Sequence, residues 1–133
     1  MKRQTALKYS REIARRLHSI NGIFATPLCE HEAVRVSRVW VFGSTAKGSQ
    51  RPNDLDVMFE MKECGRQRSW EQGALDRDYF KRYGIRCAKS SKSEFRKWIT
   101  KGMKLVSRHD RSEDQVALDV KKLIYPRYEM DQA

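Results

Sequence analysis

Between Ala6 and Ile20 the apolar residues Tyr9, Ile13, Leu17 and Ile20 recur at three- and four-residue steps, with arginines and a lysine between them. That period marks one face of an α-helix, and Asn21-Gly22 predicts its end. Residues 23–32 mix polarities around Pro27 and predict a loop. From Val34 to Phe42 the pattern alternates and then turns almost fully apolar (Val39, Trp40, Val41, Phe42), as a strand entering a buried sheet does. Gly43 to Asn53 is rich in turn residues, and Leu55 to Phe59 predicts a second short strand. Residues 60–73 carry little pattern and predict a connection, and Trp70, Leu75, Tyr79 and Tyr83 suggest a helix over 70–83. Ser91-Lys-Ser-Glu94 matches a capping box. The helix it opens aligns Phe95, Trp98, Ile99, Met103 and Val106 on one face and turns Arg96, Lys97, Lys101 and Lys104 outward. Gln115 to Tyr125 predicts a late strand, stopped by Pro126.

Helix, two strands, helices and a strand predict an α/β (α+β) domain, a small mixed β-sheet packed against helices. The 133 residues, 39% hydrophobic and 34% charged, favour one domain over 1–133. No apolar run approaches the ~20 residues a bilayer requires. Arg11, Arg15 and Arg16 interrupt any apolar signal core, so a cytoplasmic address without a membrane partner is expected. Three cysteines, Cys29, Cys64 and Cys87, are an odd number at wide spacing, which argues against a disulfide framework and a zinc site.

The net charge of +11 changes the picture, because the excess is concentrated. Residues 81–111 hold eleven basic residues against two acidic ones, Glu94 and Asp110. Such a block attracts polyanions by Coulomb attraction and counterion release, which makes Arg96, Lys97, Lys101 and Lys104 candidate nucleic-acid contacts. The same charges would also suit a solvated helix face. Tyr79, Phe80 and Tyr83 beside Lys81 and Arg82 offer a stacking platform for a base, whereas Trp40 and Trp98 are expected in the core. His18, His31 and His109 show no spacing that builds a metal site.

The stretch that carries chemistry runs from Val39 to Phe59. A strand ends at Gly43-Ser44, and after a gap of nine residues Asp54-Leu55-Asp56 opens the next strand. Gly43 allows close approach of a phosphate to the backbone, and Ser44 offers a hydroxyl and an N–H. Asp54 and Asp56, two apart on a strand, share one face while Leu55 points to the core. Two carboxylates there repel each other and suit a hard cation such as Mg²⁺.

These residues resemble the signature of the DNA polymerase beta-like nucleotidyltransferase superfamily: an apolar residue, Gly, then Gly or Ser, a gap of about nine to thirteen residues, then Asp, apolar, Asp or Glu, apolar. Phe42, Gly43-Ser44, Asp54 and Asp56 match it. Ala46-Lys47-Gly48 stands where small members carry Ala-Arg-Gly, and Asn53 where they carry Ser. The resemblance covers residues 34–60 and is architectural elsewhere. It implies the polymerase beta-like palm fold and two-metal transfer of a nucleoside monophosphate from a nucleoside triphosphate, with two Mg²⁺ (or Mn²⁺) and release of pyrophosphate. It further implies a third carboxylate on a later strand. Asp119, in Val116-Ala-Leu-Asp-Val120, is the candidate, which would otherwise be a solvent-facing partner of Lys121. Asp110 and Asp114, in a stretch predicted as loop, are the alternatives. Ser44 would orient the terminal phosphates, and Lys47 and Arg51 would neutralise them or remain solvated loop charges.

The acceptor stays open. RNA, including tRNA, fits the basic block. A partner protein, as in two-component toxin–antitoxin modules, fits a short chain without an added substrate domain. A small-molecule acceptor of aminoglycoside type fits poorly with the positive charge. A non-catalytic nucleic-acid-binding or inhibitory module sits badly with intact Asp54 and Asp56. A homodimer or a partner would supply what one short domain lacks.

Overall fold

The computed structural model describes residues 1–24, 33–64, 91–110 and 120–130. Helix α1 spans Arg3–Ser19. Its inward face carries Ala6, Leu7, Ser10, Ile13, Ala14 and Leu17, at the spacing the sequence dictates. The helix ends where Asn21 (φ 53) and Gly22 (φ 72) turn left-handed. Asn21 N–H reaches the His18 carbonyl and Gly22 N–H the Leu17 carbonyl, a Schellman closure. Gly22 is obligatory for a second reason: a Cβ there would stand 2.6 Å from the Tyr125 hydroxyl and 2.8 Å from the Val36 carbonyl.

The five strands of the described residues form one mixed sheet. Strand β1 (Ile23–Phe24) pairs antiparallel with one half of β2 (Ala33–Phe42), so the first two residues of the predicted loop are strand instead. Two residues are too few to show a period. Strand β3 (Leu55–Cys64) runs antiparallel to β2 from Phe42↔Asp56 to Ala33↔Cys64, with an irregularity between Val36 and Arg38. It therefore extends five residues beyond the predicted end at Phe59. The extension lacks an apolar run because pairing with the first half of β2, rather than burial of both faces, holds it. Strand β4 (Val106–Asp110) adds parallel to the far edge of β3, and β5 (Lys121–Tyr125) pairs antiparallel with the second half of β2.

Helix α2 (Gly43–Ala46) is a single turn between β2 and β3, and α3 (Ser91–Ile99) precedes β4. The sequence carried the α3 stripe on through Met103 and Val106. The chain instead leaves the helix after Ile99, turns at Gly102 (φ 83) and Leu105 (φ 59), and enters β4 at Val106. Val106-Ser-Arg-His-Asp110 has one aliphatic residue, so alternation alone gave no strand signal. Of the predicted late strand, 121–125 is strand and Val120 is an exposed bend; its earlier part, like the expected helix over 70–83, lies outside the described residues.

The core lies between the helices and one sheet face. Ile13 and Leu17 of α1, and Phe95 and Ile99 of α3, meet Val34, Val39, Val41, Leu55, Val57, Phe59 and Ile124. Phe95 stacks edge-on against Phe59 and Phe24, at 5.6 Å in each case. Arg16 joins the two helices: its guanidinium donates to the carbonyls of Trp98 (3.1 Å), Ile99 (3.1 Å) and Lys101 (2.9 Å), satisfying the last turn of α3. No helix of the described residues is long and apolar enough to cross a membrane.

Candidate functional site

Pairing across the sheet assembles a row at one end of it. Lys121 of β5 faces Phe42 of β2, Phe42 faces Asp56 of β3, and Asp56 faces Ser107 of β4. Cross-strand partners share a face, so these four side chains stand on the same side. Asp54, two residues before Asp56, joins them, and so does His109, two residues after Ser107. Leu55, between the acids, is fully buried on the other side. Asp54 is a bend residue just ahead of β3 rather than the strand residue expected, and the hydroxyl of Ser107, the cross-strand partner of Asp56, holds it on this side.

The turn at α2 is built around the acids. Gly43 has φ +70, and a Cβ on it would come within 2.6 Å of Asp56 Oδ2. No other residue satisfies both the backbone and the carboxylate. Buried Thr45 donates its hydroxyl to the Asp54 carbonyl at 3.4 Å, fixing where the next strand starts. From below, Arg3 donates its amide to the Gln50 carbonyl (3.0 Å) and its guanidinium to the Thr45 carbonyl (2.8 Å). Ser44 is half-buried in the turn, while Lys47 and Arg51 are exposed on the segment that leads to Asp54. The turn thus sets Gly43 against Asp56, with Ser44 next to it in the chain, and Lys47 and Arg51 stand farther along the same loop.

Strand β4 contributes two groups that the sequence reading did not assign. Ser107 Oγ donates to Asp54 Oδ2 at 2.7 Å. His109 Nε2 lies 3.6 Å from Asp56 Oδ1, its ring edge-on to Phe42 at 5.0 Å. In the sequence His109 shows no spacing toward a metal site; it is a strand residue beside an acid. The available signal was the spacing of two between Ser107 and His109, which matches that of Asp54 and Asp56.

Burial raises the pKa of Asp56, and repulsion from Asp54 raises it further; the nearby His109 pulls the other way. The pair is therefore short of positive charge as it stands.

Asp110 does not belong to this edge. It lies on the opposite face of β4, buried, with Lys92 Nζ at 2.6 Å and Arg96 Nη2 at 3.8 Å from Oδ2. It is a strand residue that pins α3, not the loop carboxylate the sequence suggested. Asp119 and Asp114 lie outside the described residues. Among the described residues no group of three or more His, Cys, Asp or Glu side chains is arranged to hold a metal ion. The edge offers two carboxylates with a serine and a histidine beside them.

The predicted basic quartet is divided. Arg96 turns to Asp110, and its carbonyl accepts from Arg108. Lys97 pairs loosely with Glu94 at 3.8 Å, and Lys104 is exposed. Lys101 lines a groove against α1. The stacking aromatics at 79, 80 and 83 lie outside the described residues. Trp40 is buried as expected, under the Lys121 ammonium at 4.8 Å from its ring centroid.

In comparisons with known proteins, no family model, no curated protein and no solved structure matches the chain.

Proposed function

We propose that this chain is a metal-dependent nucleotidyltransferase, which moves a nucleoside monophosphate from a nucleoside triphosphate to an acceptor hydroxyl, with RNA as the acceptor class. The observation that carries the reading is the close approach of Gly43 to Asp56, which sets the glycine–serine turn against the carboxylate pair at the sheet edge.

A divalent cation fits this edge chemically. Two oxygen-donor side chains share a face, burial and then their mutual repulsion raise the pKa of Asp56, and both are partly exposed. Asp54 and Asp56 would hold one Mg²⁺; among the described residues no third carboxylate stands beside them for a second. When bound, the ion supplies charge neutralisation to the triphosphate and to the reacting phosphorus centre. Ser44, half-buried next to Gly43 in the turn, offers a hydroxyl that can donate to a phosphate oxygen. Lys47 and Arg51 add positive charge along the loop a triphosphate would face. Ser107 fixes the rotamer of Asp54, and His109 braces Asp56. The reaction exchanges a phosphoanhydride bond for a phosphoester and frees pyrophosphate.

Incubation with each labelled nucleoside triphosphate and Mg²⁺, first with total RNA and then with cell-extract protein, tests this. Label on RNA, lost in the Asp54→Asn, Asp56→Asn double variant, is the expected result. Label retained by that variant would defeat the carboxylate assignment, and label on protein alone would replace the acceptor.

A further inference from the structure

A groove of about 570 Å³ runs between α1 and the turn after α3, on the helical layer rather than on the face that carries the acids. Among the described residues five of those lining it are basic, and Glu12 is the one acid. Hydrogen bonds from Arg15 and then Arg16 hold the Glu12 carboxyl down to about 2, so it is spent on those two arginines. Lys8, Arg11 and Lys101 are exposed around it, and among the described residues Lys8 and Lys101 make no ion pair. We infer that this groove binds the backbone of a single-stranded polynucleotide.

Three observations select that ligand. Lys8, Arg11 and Arg15 stand at i, i+3 and i+7, one per turn on one helix face. They follow one another along it by roughly 5 Å per turn, so the wall meets a run of negative charges rather than a single one. Lys101 faces them across the groove, so the phosphates would meet cations from both walls. Tyr9 and Met103, both half-buried, line the groove between the walls and give a base a ring face and an apolar edge to lie on, which an acidic peptide does not need.

Both walls continue to the carboxylate edge. Helix α1 reaches it through Arg3, bonded to the α2 loop, and the other wall through Leu105, whose carbonyl accepts the Leu55 N–H at 2.9 Å. A strand held in the groove is thereby led toward Asp54 and Asp56. This last step rests on the transferase reading; binding itself does not.

The test is fluorescence anisotropy with a labelled oligoribonucleotide of about 16 nucleotides, in EDTA and without nucleoside triphosphate, across a salt series. Three groove cations without a carboxylate partner among the described residues, Lys8, Arg11 and Lys101, predict a log–log salt slope of about −2. Lys8→Glu with Arg11→Glu should weaken binding at least tenfold and flatten the slope by about 1 or more. Lys101→Gln alone should weaken it about threefold. Lys97→Glu with Lys104→Glu, the same charge change outside the groove, should cost less than threefold. A deoxyribonucleotide strand binding equally well supports a backbone reader. Equal losses from the two double variants would reduce the effect to net charge and overturn the assignment, as would poly-glutamate competing as well as RNA. Binding is read in EDTA without nucleoside triphosphate, so a failed transfer assay leaves this inference standing or falling by itself.

Discussion

Gly43 and Asp56 constrain each other, and the constraint can be measured at the scale of single side chains. Gly43→Ala must strain a left-handed backbone and push aside Asp56 Oδ2. We expect a loss of about 1–2 kcal/mol in stability by thermal denaturation, and a fall in transfer of at least a hundredfold. Asp56 has the reverse sign from a salt-bridged carboxylate. Its folded-state pKa lies above the unfolded value, so the folded chain holds the proton more tightly. Stability should therefore decline as pH rises from the ordinary carboxylate range through the raised value. Asp56→Asn removes that decline, so in EDTA at neutral pH its melting temperature should exceed the parent's while transfer is abolished. Millimolar Mg²⁺ should raise the parent's melting temperature and leave the variant's unchanged; an equal rise in both would count against the acids as the cation site.

At the scale of elements, the helices and the sheet are joined by a few polar locks over an apolar contact. Asp110→Ala would leave Lys92 and Arg96 facing a buried gap, at a cost of about 3 kcal/mol in chemical denaturation. Transfer per folded molecule should survive, which separates this acid from Asp54 and Asp56. Phe95→Ala, on α3, removes the ring that both Phe59 and Phe24 meet and should cost about 3–5 kcal/mol. Elements that bury a continuous stripe were legible in the sequence: α1 from Ile13 and Leu17, β2 from Val39 to Phe42, the start of β3, and α3 from Phe95 and Ile99. Elements held by pairing were not. Strand β1 is too short for a period, the second half of β3 alternates Glu60, Met61 and Lys62, and β4 shows one aliphatic residue. Missing β4 hid Ser107 and His109, because their contact with the acids depends on a parallel pairing that no local pattern encodes. Asp54 and Asp56 were legible because their relation is local.

At the scale of the molecule, one end of the sheet collects the acids, the glycine turn and the ends of the two basic walls. The charge distribution follows the same division. The sequence placed the cationic excess in residues 81–111, yet the structure commits part of it, Arg96 and Lys92, to Asp110, and it likewise commits Arg16 of α1 to three carbonyls. Lys8, Arg11 and Arg15, which the density of residues 81–111 overshadowed, come to face Lys101 only through packing of α1 against α3. A one-dimensional charge count cannot register that meeting.

The three-carbonyl grip of Arg16 has a consequence for what an occupied groove would do to the rest of the chain. The turn it holds also carries the Lys101 N–H, bonded to the Trp98 carbonyl at 3.2 Å, and the Met103 N–H, bonded to that of Thr100 at 3.0 Å. Local opening of this turn must release Arg16, so a ligand spanning both walls would damp that opening. Deuterium uptake at the Lys101 and Met103 amides should then slow when an oligonucleotide is added, and Arg16→Lys, which keeps the charge but cannot span three carbonyls, should quicken it in the free protein.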